Sequence, residues 1–140
     1  PTIGMEVRVQ EDYGLKDFVR HVAGDIDHRC AYCYEHRLEG TAKYAAEHGF
    51  AAFTSTLLAS TYQNHEAIAA AAEMYARQYG VEFLYRDFRS NFRAGNQRAR
   101  ELGFYMQKYC GCVFSEADRY QKQIDRDRAK FDAEEAARQG

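Results

Sequence analysis

The period of hydrophobic and polar positions changes several times along this chain, and each change marks an element. In "MEVRVQ", residues 5–10, Met5, Val7 and Val9 alternate with polar neighbours, which predicts a strand. "GLKDFVRHVAG", 14–24, spaces Leu15, Phe18, Val19 and Val22 at helical intervals and ends on Gly24, a residue suited to follow a helix. A long helix is predicted over about 28–48, with Asp27 as N-cap and Gly49 beyond its end. "FAAFTSTLL", 50–58, is nearly all apolar or β-branched, as buried parallel strands are. Asn64 stands where it can cap an alanine-rich helix over 65–79 that Gly80 stops. "VEFLYRDF", 81–88, is the third predicted strand. A helix near 93–102 ends at Gly103, and the run from Ser115 to Asp118 resembles a capping box opening a final charged helix.

Strands alternating with helices predict an α/β fold: a small, mostly parallel sheet with flanking helices, rich in helix overall. Three strands make an undersized sheet, since parallel strands are usually covered on both faces. No linker, repeat or low-complexity tract divides the chain, so one domain is expected over 1–140. Within it, 1–124 forms a globular core and 125–140 an exposed charged helical tail, because Phe131 is the one large apolar residue beyond Ile124.

Composition narrows the class. Hydrophobic residues make up 46%, with nine Phe and eleven Tyr, which excludes a disordered chain. No apolar run approaches the ~20 residues needed to cross a bilayer, so the cytoplasm is the expected compartment. The net charge of −2 argues against a broadly basic surface. The distribution is uneven, however. From Arg86 to Lys108 there are six cations (Arg86, Arg89, Arg93, Arg98, Arg100, Lys108) against Asp87 and Glu101. Such a patch suits a phosphate backbone, or simply the polar face of a surface helix.

The chemistry lies in four cysteines. "HRCAYCYEHR" places Cys30 and Cys33 three apart at a helix start, on one face about one turn apart. Backbone N–H groups and the helix dipole favour thiolate there. "QKYCGCVFSE" places Cys110 and Cys112 on either side of Gly111, which permits a tight turn. Joining the two pairs closes a loop of 76 residues, an entropic cost that suits a fold already bringing both to one sheet edge. In a reducing compartment four thiols read as metal ligands or redox groups before structural disulfides. Inert burial, a thioredoxin-like dithiol, a structural zinc site and an iron–sulfur cluster all remain open on spacing alone.

Longer strings carry a resemblance. "HRCAYCYEHRLEGTA", "GFAAFTSTLLASTYQ", "YGVEFLYRDFR" and "RELGFYMQKYCGCVFSE" resemble, in order and spacing, consecutive blocks of the QueH-type epoxyqueuosine reductases over about residues 11–120. The resemblance implies a fold related to the nucleotide α-hydrolases (Rossmann-like) and a 4Fe-4S cluster with a second iron nearby. It also implies cobalamin-independent reduction of epoxyqueuosine to queuosine in tRNA. Cys30, Cys33, Cys110 and Cys112 would then be the metal-site ligands, with zinc as the alternative metal. Two departures stand out. The family's first strand and its Cys-Cys motif, some 60 residues upstream, have no counterpart here, and a second chain is one expected source of them. Thr61 stands where the family often has proline.

For tRNA, Arg86, Arg89, Arg93 and Lys108 are candidate phosphate contacts, and Tyr62 or Tyr109 candidate stacking partners for an extruded base. Ion pairing of Arg86 or Arg89 with a carboxylate is the structural alternative. His28, Asp87 and Tyr109 lie near the motifs, yet none is singled out as proton donor. The competing function is a non-catalytic metal-binding module whose zinc or cluster stabilises the fold.

Overall fold

The computed structural model describes residues 4–140 and groups them into two compact units, one running through Ser90 and the other Asn91–Gly140. In the first, α1 (Leu15–Val22) leads through a 3-10 turn at Ile26–His28 into α2 (Arg29–Glu47). β1 (Ala52–Phe53), a 3-10 turn at Thr56–Ala59, α3 (His65–Tyr79) and β2 (Glu82–Phe83) follow.

α2 and α3 build the core because small and large apolar residues recur on their facing sides. α2 buries Tyr34, Leu38, Ala42 and Ala45, and α3 buries Ile68, Ala72 and Ala76. The alanines let the two helices approach closely, while Phe53, Leu58 and Phe83 fill the space toward the strands. β1 and β2 pair in parallel, Ala52 opposite Glu82 and Phe53 opposite Phe83. The two phenyl rings lie 5.4 Å apart between centroids. A strand, a helix and a second parallel strand form the predicted βαβ unit.

The boundaries of α3 follow its sequence closely. Asn64 Oδ1 accepts from the Ala67 N–H at 3.1 Å, and Gly80 closes the helix in the left-handed region at φ 67°. Other boundaries differ. His28, not Asp27, occupies the N-cap of α2, because Asp27 is taken into the preceding 3-10 turn. The two predicted strands at 50–58 and 81–88 shrink to two residues each. Ser55 accepts from the Leu57 N–H and turns the chain into a 3-10 turn, which ends β1. After β2, a bond from the Phe88 N–H to the Leu58 carbonyl draws the backbone off the ladder.

Residues 5–10 also differ from expectation. They form no ladder with any described residue, and Met5, Val7 and Val9 are exposed. Alternation marks a chain able to be a strand, but a strand exists only with a hydrogen-bonded neighbour.

The second unit holds α4 (Phe92–Glu101) and α5 (Val113–Gln139). α5 starts two residues before Ser115, so the expected capping box falls inside its first turn. Its residues beyond Ile124 are exposed, as the charged composition implies. Among the described residues, no helix is long and apolar enough to cross a membrane.

Candidate metal centre

Cys30 and Cys33 lie in the first turn of α2, Cys30 exposed and Cys33 half-buried. The register that sends Tyr34 and Leu38 into the core leaves the cysteine turn at its rim. Tyr34 is anchored twice: its hydroxyl donates to Gln63 Oε1 at 2.7 Å and accepts from the Asn64 N–H at 3.1 Å. The His28 side chain makes no cap bond, and the Arg29 N–H donates to the Ile26 carbonyl of the preceding 3-10 turn.

His28 Nδ1 lies 2.9 Å from Asp25 Oδ1. That hydrogen bond, reinforced by the carboxylate's charge, raises the imidazole pKa above its ordinary value. On the outer side, Tyr32 stacks on His21 at 4.6 Å and on His36 at 5.7 Å.

The second pair stands in a different local frame. Gly111 has φ 94°, a conformation L side chains rarely adopt, and Cys112 follows in extended conformation as the N-cap of α5. Gln107 Nε2 donates to the Tyr109 carbonyl at 2.8 Å, and a Cβ on Gly111 would meet that same nitrogen at 3.3 Å. Tyr109 is half-buried, edge-on to Tyr120 at 6.5 Å. Its phenol pKa is raised, first by burial and then by the charge of Glu116.

The donor set suits a thiophilic metal or cluster: paired sulfurs, accessible or half-buried, each pair at the start of a helix. Each pair offers two sulfurs. Among the described residues, neither unit by itself gathers three or more His, Cys, Asp or Glu at one point.

The candidate tRNA residues fare unequally. Arg86, Arg93, Lys108 and Tyr62 are exposed. Arg89 instead grips Asp87, donating from Nη2 at 2.6 Å and from Nε at 2.9 Å. That contact holds the Asp87 carboxyl well below the usual carboxylate range. Arg98 similarly pairs with Glu101 at 3.2 Å. Two of the six cations counted in the sequence are thus matched to acids.

Sequence reasoning missed an open groove of about 480 Å³ at the start of α3, lined by His65, Glu66, Tyr85 and Arg89 among others. In sequence, "QNHE" reads only as the beginning of a helix, and no pattern marks His65 as buried.

An α/β protein with a small parallel sheet and two dithiol turns at helix starts is the class these features define. Residues 2–118 match the family model described as Epoxyqueuosine reductase QueH. The chain is 37% identical over 120 residues to the Epoxyqueuosine reductase QueH of Dehalococcoides mccartyi, covering 86% of this chain and 66% of that protein. It is 38% identical over 104 residues to the protein of that name from Thermotoga maritima, covering 73% of this chain and 54% of the relative. With its namesake in Streptococcus pyogenes it shares 32% over 114 residues, covering 76% of this chain and 45% of the relative. The chain belongs to the QueH family. It spans about two thirds or less of the length of these relatives.

Proposed function

We propose that this chain works in queuosine biosynthesis as a cytoplasmic tRNA-modifying oxidoreductase, reducing epoxyqueuosine to queuosine. The observation that carries the reading is the placement of Cys30 and Cys33 in the first turn of a core-anchored helix, in a chain of the QueH family. The conversion of an epoxide to an alkene takes two electrons and two protons and releases the oxygen as water.

Cys30, Cys33, Cys110 and Cys112 would hold the redox group, a 4Fe-4S cluster with a second iron beside it. When bound, that group supplies electrons singly and a Lewis acid for the departing oxygen. The protein's own residues bind and orient the tRNA. Arg86, Arg93 and Lys108 contact phosphates, and the exposed Tyr62 and half-buried Tyr109 offer ring faces to an extruded base. Arg89 acts mainly through Asp87, holding the loop after β2 in place.

Anaerobic purification with iron and acid-labile sulfide analysis tests the assignment. A brown protein containing both, which loses them on double Cys110→Ala/Cys112→Ala substitution, supports it. Retention of metal in a folded double variant overturns the ligand set. A colourless protein with zinc alone favours a metal-binding module without turnover, a reading in keeping with only two thiols in each unit. Affinity for tRNA should fall steeply with salt, and a salt-independent affinity removes the phosphate contacts.

A further inference from the structure

The start of α3 carries a feature the cysteine chemistry leaves unused. His65, the first residue of the helix, is 7% exposed, and its Nε2 lies 3.2 Å from the Ser60 carbonyl oxygen. A carbonyl only accepts, so Nε2 carries the proton there and Nδ1 is left as an acceptor. That Nδ1 is buried and has no hydrogen-bond partner among the described residues. A buried acceptor without a donor is costly and in native proteins is usually met by something.

His65 lines the groove described above, at a helix start whose other groups also have capacity to spare. Asn64 caps the Ala67 N–H, while the N–H groups of His65 and Glu66 have no carbonyl to bond within the helix. Charge decides what fits. Arg89 is matched to Asp87, and Glu66 adds a negative charge to the lining, so a phosphate would be repelled. A neutral group rich in hydroxyls suits the groove, and the exposed Tyr85 ring gives it a flat face to lie against.

The geometry points to a ribose subsite: one nucleotide of the bound tRNA seats its sugar in this groove, with its 2′-hydroxyl donating to His65 Nδ1. The hydroxyl oxygen in turn accepts from the N–H groups that open α3. The 2′-hydroxyl is the group that separates RNA from DNA, so His65 is a specificity residue for RNA. This subsite rests on the tRNA reading above.

The test titrates the full chain with an anticodon stem-loop RNA and with versions carrying one 2′-deoxy sugar at each loop position. One deoxy position should weaken binding about tenfold, the scale of a lost hydrogen bond, and add nothing further in a His65→Leu variant. Because that variant can misfold, the second measurement uses the unmodified protein: the nitrogen-15 resonance of His65 Nδ1 should shift on adding RNA and not on adding the critical deoxy RNA. RNA binding with no distinguished position and an unmoved resonance overturns the ribose subsite alone. Failure of the protein to bind any of these RNAs removes the tRNA reading and the subsite with it.

Discussion

Cys30 and Cys33 ride on the first turn of a helix whose later turns are locked into the core, with Leu38 and Ala42 almost wholly buried. Cys110 and Cys112 sit in a turn ahead of a helix that buries none of its described residues. The donor chemistry is the same and the support is not. In the first pair, apolar packing fixes the helical register and therefore the spacing of the sulfurs. In the second, the backbone conformation at Gly111, the side-chain bond from Gln107 and the Tyr109–Tyr120 ring contact do that work.

That contrast can be broken most forcefully in the core. Leu38→Ala should cost about 2–5 kcal/mol by urea unfolding, whereas Ile124→Ala on exposed α5 should stay within about 0.5 kcal/mol. Similar losses at both positions would mean that α5 is held as firmly as α2. Next in size is Gly111→Ala, which forces an L residue to φ 94° and should strain the turn by about 1–3 kcal/mol. The expected result is faster proteolysis near residues 107–112, with the urea midpoint of the first unit unchanged.

Asn64→Ala should remove about 1 kcal/mol from the first unit by deleting the cap of α3, again read in urea. The smallest effect concerns His28. Its raised pKa means that the Asp25 contact stabilises the native state fully below the ordinary value of about 6.5 and is lost as pH rises through the raised one. Asp25→Asn should move the His28 midpoint down toward that ordinary value in an NMR titration. An unmoved midpoint would show the carboxylate is not its cause.

What could be read from residues alone follows the range of the forces involved. α3 was legible to the residue because an Asn cap and a Gly stop act within one turn. α1 and α4 came within a residue or two, although neither has a side-chain cap bond. The strands were overextended because apolar runs report burial, and the Ser55 bond and the Phe88–Leu58 contact that end pairing belong to local geometry and tertiary structure. Residues 5–10 carry strand alternation without a described partner, since pairing is a property of two segments and pattern of one. At the candidate site, the place of Cys30 and Cys33 at a helix start was foreseeable, whereas Cys112 was read as part of a loop and caps α5 instead. The Asp87–Arg89 grip was foreseen only as an alternative, and the buried His65 not at all, because both depend on where loops fold back.

The two bonds of the Tyr34 hydroxyl tie the turn holding Cys33 to the backbone that opens α3. Solvent exchange at the Asn64 amide is therefore a remote gauge of that turn. Anything loosening the phenol from its two partners, such as oxidation of the neighbouring thiol, should register as faster deuterium uptake thirty residues downstream.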